Sequence, residues 1–455
     1  MRGFPGATGN LRGSRSRGNR VLSPPLQVCD PACRSRLQSN QCEYLQWVPN
    51  QNQGCERLRA MTDDPRFQSD HLVWVVAPRV GTSSETWLWR QLRGFAQVRP
   101  VAFAWGRENP DVYPLSGIPF SIVPFAHKQD VGLGRAWRRL LAWPSGNYCK
   151  SASTERRWFL AQARSSAPSA MLCHFGHTAL RMLPVARELD IPVIAHFHGL
   201  DLSSSLQNKW YRWSLEDHLH SFAKLVVVGS HQYQFLLDKG VPSEKLSTIP
   251  CGVPVEEFLP VSREASNPVQ FVAVSRLTEF KGLDVSLRAF AFVRQTIHEA
   301  RFVIIGEGPE ASSLQSLANA LGIVDAVRFM GARPESEVRE TLHNSDVFVQ
   351  HSRTGRNGWV EGFGVSIAEA AACALPVVVT DCGGIPDQVV NGHTGFITRE
   401  GDIEQFGQAM LALGLDAGLR KKLGQAGRDN VVRHFDTAGQ VKKLESIILG
   451  SLKEV

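Results

Sequence analysis

VFVQHSRTGRNGWVEGFGVSIAEAAACALPVVVTDCGGIPDQVVNGHTGFI, running from Val347 to Ile397, is the stretch from which the fold can be read. An apolar run, Val347–Val349, predicts a strand that ends in a polar, glycine-containing loop carrying Glu361. Gly362-Phe363-Gly364 then opens a helix-like run bearing Glu369. After Ala374-Leu375-Pro376 comes a second apolar strand, Val377–Thr380, which ends in Gly383-Gly384-Ile385-Pro386. Parallel α/β sheets bind ligands outside the carboxyl ends of their strands. A helix N-terminus behind glycines offers bare N–H groups and a positive dipole end, which suits a phosphate. Two carboxylates beside such a site would repel the anion unless each faces hydroxyls. A nucleotide sugar has that pattern, with sugar hydroxyls on one side of a diphosphate and ribose hydroxyls on the other.

The same alternation runs upstream. Val269–Val274 predicts a strand, and Arg276 and Lys281 follow at its carboxyl end. There an arginine fork and a lysine point charge can neutralise a diphosphate; the competing reading is two solvated surface charges. Phe302–Ile305 runs into Gly306-Glu307-Gly308-Pro309-Glu310-Ala311, formally a G-x-G-x-x-A fingerprint, which supports a rival reading as an NAD-dependent oxidoreductase. Pro309 and two acids make a poor pyrophosphate cradle, so a plain strand-to-helix turn is expected. Val327–Gly331 is a further strand, and helices after Asp402 end near Leu449.

The first half alternates in the same way. Strands are expected at His71–Pro78, Val101–Trp105, Phe120–Pro124, Met171–His174, Ile191–His198 and Leu225–Val228, with Ser83 or Ser84 capping the first helix. Strands alternating with helices imply parallel pairing and a doubly wound domain. Ile249 to Pro260 is rich in turn formers and suits a linker.

Glu361 and Glu369 have seven residues between them, and EGFGVSIAEAAACALPVVVTDCGGIPD resembles the donor-site signature of family 4 glycosyltransferases. Ser84-Glu85-Thr86-Trp87 resembles an S-E-T-F stretch of the exopolysaccharide-type subgroup. The resemblance covers roughly residues 72–440 and is dense between 270 and 400. It implies a GT-B fold, two Rossmann-like domains facing a central cleft, and metal-independent transfer of a hexose-type sugar with retention of configuration. The donor would be a nucleotide-diphosphate sugar, UDP- or GDP-linked, and the acceptor a glycan or lipid-linked saccharide. By resemblance, Glu361 holds donor-sugar hydroxyls, Glu369 holds ribose hydroxyls, and His198 reaches the sugar from the N-terminal domain. Arg276, Lys281 and the Gly362, Phe363, Gly364 and Val365 backbone meet the diphosphate. Gly81 stands where many members have a Gly-Gly pair. Two further hypotheses fit the same residues: a nucleotide-sugar epimerase, which would release free sugar and need no acceptor, and a non-enzymatic nucleotide-sugar sensor, which would bind without turnover.

The expected organisation is a disordered extension over 1–68, an acceptor domain over 69–258, a donor domain over 259–430, and a C-terminal helix over 431–455 packing back toward the first domain. Nine arginines against three acids put +6 of the net +7 in the first sixty residues, leaving the body nearly neutral. Nucleic acid is therefore not an expected partner. Cys29, Cys33, Cys42 and Cys55 lie in this leader without the spacing of a two-pair zinc site, and Met61 is a candidate initiator. The remaining five cysteines read as reduced packing residues. No apolar run is long enough to span a membrane, and the N-terminus has no signal-peptide core. The expected location is the cytoplasm, at the inner face of the plasma membrane, with lipid contact through the basic and aromatic residues 135–143 and a similar run at Asn208–Trp213. His174 and His177 could pair on a metal, but no neighbouring Asp, Glu or Cys cluster completes a site, so no metal is assigned.

Overall fold

The structure is a computed structural model and describes residues 71–124, 153–261 and 268–452. The leader with its four cysteines and Met61, and the segment 135–143, lie outside the described residues. The first half builds strands β1 (Leu72–Val80), β2 (Arg99–Arg107), β3 (Phe120–Ile122), β4 (Ala170–His174), β5 (Val193–His196), β6 (Lys224–Val227) and β7 (Leu246–Thr248). They form one parallel sheet in the order β3-β2-β1-β4-β5-β6-β7. Its helices are α1 (Thr86–Gly94), α2 (Ser153–Ser165), α3 (Gly176–Leu189), α4 (Lys209–His218) and α5 (Ser230–Asp238).

The second half adds β8 (Gln270–Val274), β9 (Arg301–Ile305), β10 (Val327–Gly331), β11 (Val347–Gln350), β12 (Val377–Thr380) and β13 (Gly395–Thr398). These too are parallel, in the order β10-β9-β8-β11-β12-β13. Helices α6 (Leu283–Arg294), α7 (Ala311–Ala320), α8 (Glu335–His343), α9 (Val365–Ala372), α10 (Ile403–Leu415), α11 (Ala417–His434) and α12 (Thr437–Leu449) complete it. Each sheet winds outward from its first strand and then returns to the other side. The direction reverses between β1 and β4 in one sheet and between β8 and β11 in the other, and crevices form outside such strand ends.

The central strands are apolar on both faces because helices cover both: Val73 to Val76 and Val377 to Val379 are essentially without solvent contact. Two short-range expectations need correction. Neither Ser83 nor Ser84 caps α1; Glu85 occupies the cap position and makes no side-chain bond there. The strand expected over Ile191–His198 spans only Val193–His196, because Phe197 to Asp201 turn away into a loop. The edge strand β7 has three residues, too few to register as an apolar run.

The linker is held by the far end of the chain. The Arg428 guanidinium donates to the carbonyls of Val255, Phe258 and Ala372 at 2.5–3.0 Å. Val253 donates to the Phe435 carbonyl and accepts from the Thr437 amide, at 2.9 and 3.0 Å. Helix α12 then crosses back onto α1, with Val441, Leu444 and Ile448 entering the core that holds Leu88, Leu92 and Phe95. The Glu445 carboxylate accepts from three successive amides, Ala96, Gln97 and Val98, at 2.7, 2.5 and 3.1 Å. Cys173, Cys251, Cys373 and Cys382 are buried free thiols. On α4, Asn208 caps the helix by accepting from the Trp210 and Tyr211 amides. Tyr211 is buried, while Trp210 and Trp213 are 41% and 53% exposed. Among the described residues no helix is long and apolar enough to cross a membrane.

Candidate active site

Four loops meet between the two sheets. Gly362 lies so close to the His198 carbonyl that a Cβ on it would stand 2.4 Å from that oxygen. Gly384 packs equally tightly on the Gly362 carbonyl, and Ser230 binds Asp387 through both its amide and its hydroxyl at 2.6 Å. The glycines of EGFG and GGIP thus let backbones approach one another.

Lys281, after β8, reaches Glu361, after β11: Nζ donates to Oε2 at 2.5 Å, and both side chains are nearly buried. Gln350 and Ser352 donate to the same oxygen at 3.2 and 3.1 Å. Glu361 is therefore pinned through Oε2, and none of these bonds engages Oε1. The Lys281 ammonium has three N–H groups and spends one on Glu361. Arg276 is exposed on the same rim, its guanidinium 5.6 Å from the Phe280 ring centre. Across from it stands Glu85 of the SETW stretch, whose carboxyl is pushed up by burial and partly restored by the field of Arg276.

The turn Gly306–Pro309 explains its own glycines. A Cβ on Gly306 would lie 1.8 Å from the Ser275 carbonyl, and one on Gly308 would lie 2.4 Å from that of Leu277. Leu277 also donates to the Glu307 carbonyl, at 2.8 Å. The G-x-G pattern is what allows this turn to nest under the loop carrying Arg276, so no dinucleotide is needed to account for it. Gly81 has a similar cause, since a Cβ there would stand 2.0 Å from the Glu108 carbonyl. Gly364, in the left-handed region at φ 87°, caps α9. Phe363 is buried against Phe435, and Val365 begins the helix.

Glu369 is not part of the Lys281–Glu361 group. Its Oε1 accepts from both terminal nitrogens of Arg90 at 3.0 Å, and Arg90 Nη2 also donates to Glu335 at 2.8 Å. Arg90 comes from α1 of the first half, so this buried ion triad joins the two halves. Burial raises the Glu369 carboxyl above the ordinary range, with Arg90 opposing. Burial works against the Arg90 charge, but Glu369 and Glu335 hold it on. No sequence signal points to Arg90, which reads as one more surface arginine on a helix.

His198 stacks on Trp87 at 3.8 Å between ring centres and shares a 3.0 Å hydrogen bond with His174. Burial pushes both imidazoles well below their usual pKa range and takes His196 to about 3, so all three are neutral. Asp201 fixes the turn by accepting from the Gly176, His198 and Gly199 amides at 3.0–3.1 Å; burial lifts its carboxyl to about 6 despite those donors. His177 does not join His174: it stacks on Phe175 at the start of α3. The true third member is His196, and the H-x-H alternation of His196 and His198 is the sequence signal for it.

Two doubly wound parallel domains with their reversal points facing one cleft define the GT-B class. The description "Glycosyltransferase Family 4" matches residues 124–257, and "Glycosyl transferases group 1" matches 254–430. WcaL of Escherichia coli, which carries a colanic acid biosynthesis glycosyltransferase name, is 30% identical over 283 residues, covering 61% of this chain and 69% of WcaL. The amylovoran biosynthesis glycosyltransferase AmsK of Erwinia amylovora is 30% identical over 266 residues, 56% of this chain and 63% of AmsK, so less than two thirds of that relative is matched. The crystal structure of Anabaena HepE in complex with UDP superimposes with a TM-score of 0.69 at 16% identity, over 84% of this chain and all of HepE. The chain belongs to the family 4 glycosyltransferases, and its relatives include exopolysaccharide glycosyltransferases.

Proposed function

We propose that the protein transfers a hexose-type sugar from a nucleotide-diphosphate sugar to a glycan or lipid-linked acceptor, with retention of configuration. The observation that carries this is the cationic rim after β8: Arg276 exposed, and Lys281 seated on Glu361 with N–H groups to spare. Breaking the bond between sugar C1 and the diphosphate builds negative charge on the leaving group and positive charge on the ring. Arg276, Lys281 and the amides around Gly362–Val365 would meet the negative charge, so no divalent metal is required at the diphosphate. Glu361, held by Oε2, would offer Oε1 to donor-sugar hydroxyls. Glu369 would take the ribose hydroxyls while Arg90 holds its Oε1. His198, neutral, would donate or accept a hydrogen bond at the sugar without acting as a charged acid. Retention follows from family membership through an internal-return route, in which the departing phosphate accepts the acceptor's proton.

UDP and UDP-glucose in the HepE crystals favour a nucleotide-sugar donor, and the names of AmsK and WcaL favour a polysaccharide product. The exposed Trp210 and Trp213 beside Lys209 and Arg212 suit contact with a membrane that holds a lipid-linked acceptor.

A thermal-shift panel on the full chain with UDP-, GDP- and ADP-sugars and NAD tests the donor site. A ligand at about 100 times its Kd adds about 2.7 kcal/mol of stability by mass action. The expected outcome is a shift with one nucleotide sugar that Lys281→Ala abolishes. A shift with NAD alone would remove the transferase reading.

A further inference from the structure

Three imidazoles converge behind the cleft, and sugar transfer has no use for two of them. His174 ends β4 and His196 ends β5, directly opposite one another in the parallel pairing. His198 follows His196 by two residues, and alternate residues of an extended segment share a face. The constellation is thus His-x-His on one strand end plus a histidine across the ladder. One ring nitrogen from each residue lies within 4.8 Å of the other two.

The ring centres are 5.2 Å apart for His174–His198, 5.4 Å for His174–His196 and 4.3 Å for His196–His198. Two imidazoles on a tetrahedral ion, with metal–nitrogen bonds near 2.1 Å, place their ring centres about 5.2 Å apart. Two of the three separations already match, and the third opens if His196 swings away from His198. Space for that swing exists. A cavity of about 20 Å³ adjoins both rings, lined also by Gln91, Cys251, Thr437 and Gln440. It has room for one water. Gln91 Oε1, Thr437 Oγ1 and Gln440 Oε1 are buried without hydrogen-bond partners, as are His174 Nε2 and His198 Nδ1. The His196 ring interacts with the Ile249 backbone, but neither ring nitrogen reaches hydrogen-bond geometry.

We propose that His174, His196 and His198 bind a divalent transition metal of the zinc class, with a water in the adjoining cavity as fourth ligand. Three nitrogens and no carboxylate select borderline ions over Mg²⁺ or Ca²⁺, which take oxygen. A bound ion would claim a lone pair of His198 and so compete with that residue's contact to the donor sugar. This last consequence rests on the proposed function; metal binding itself does not.

The test is a titration of the chelator-stripped full chain with Co²⁺, followed by displacement with Zn²⁺. The expected result is one equivalent per chain with the intense visible bands of four-coordinate Co²⁺, reversed by Zn²⁺. His174→Gln and His196→Phe should each weaken binding by more than about 100-fold, beyond the 10- to 100-fold typical of outer-shell partners. Replacing Cys29, Cys33, Cys42 and Cys55 by serine should leave the bands intact, as should Lys281→Ala, which removes nucleotide binding. Absence of the bands, or their loss with the leader cysteines, overturns the site. Should the histidine variants fail to fold, proton NMR of the Co²⁺ wild type decides: paramagnetically shifted resonances from three imidazoles support the site, and fewer refute it.

Discussion

Replacing Arg90 by methionine removes the cation of the triad but keeps an apolar stem near Phe258, over whose ring the guanidinium sits at 5.7 Å. Arg90 is 4% exposed and makes three charge-assisted bonds, two to Glu369 and one to Glu335. Glu335 keeps Arg339 at 3.4 Å, so its loss is small. Glu369 is stranded, 12% exposed and without its cation. Breaking a buried pair from one side costs about 3–5 kcal/mol, and the surviving Glu335–Arg339 contact places this case near about 3. Glu369→Gln leaves Arg90 paired with Glu335 and should cost about 1–2 kcal/mol, as a lost charged hydrogen bond does. The double variant should be more stable than the sum of the singles by about 2 kcal/mol. Urea unfolding of the full chain, followed by tryptophan fluorescence, measures all three. The pH dependence has a definite sign. Burial already raises Glu369, and without Arg90 burial acts alone, so its folded-state pKa climbs further. A carboxyl raised on folding costs stability progressively as pH rises above its unfolded value, about 4.3. The gap between Arg90→Met and wild type should therefore be widest near neutrality and narrow as pH falls toward that value. Additive single effects, or a gap that widens in acid, would refute the triad as the link between the halves.

Glu445→Ala strands the Val98 amide and leaves those of Ala96 and Gln97 to water, which should cost about 3 kcal/mol in chemical denaturation; Glu445→Gln, keeping a neutral acceptor, should cost less than half as much. Gly362→Ala sets a Cβ 2.4 Å from the His198 carbonyl and 3.2 Å from Gly199 Cα, so the facing loops must part. Steady-state transfer should then fall more than about tenfold, as misplacement near 1 Å does, with little change in melting temperature. Gly306→Ala meets the Ser275 carbonyl at 1.8 Å and displaces the loop carrying Arg276. Calorimetry should show nucleotide-sugar affinity falling with stability in that variant, whereas Ala at Gly322, where nothing lies within 4 Å, should spare affinity.

What the sequence discloses divides by range. The β-strands are legible because Val73–Val76 and Val377–Val379 are buried on both faces, and continuous apolar runs record that directly. Arg276, Lys281 and Glu361 are legible because strand ends and glycine turns are local features. Arg90 is not, since its partner Glu369 lies 279 positions away and neither neighbourhood mentions the other. Glu445 is hidden for the same reason: a glutamate on an amphipathic helix reads as solvated until the crossing brings it onto the amides of 96–98. His196 is visible as part of an apolar strand, and only the register against His174 gives it company. The glycines of the G-x-G turn misdirect, because close backbone approach and phosphate approach require the same residue.

The return of α12 to α1 has a bearing on how the chain is made. During synthesis the first sheet leaves the ribosome long before Thr437–Leu449 exist. Until then Leu88, Leu92 and Phe95 lack Val441, Leu444 and Ile448, and the Ala96–Val98 amides lack Glu445. The amino-terminal half must wait, with an apolar strip uncovered, for the final segment to be translated. Nascent chains halted before residue 437 would be substrates for chaperones and proteases, and release of the last helix would act as the check that only a finished polypeptide escapes them.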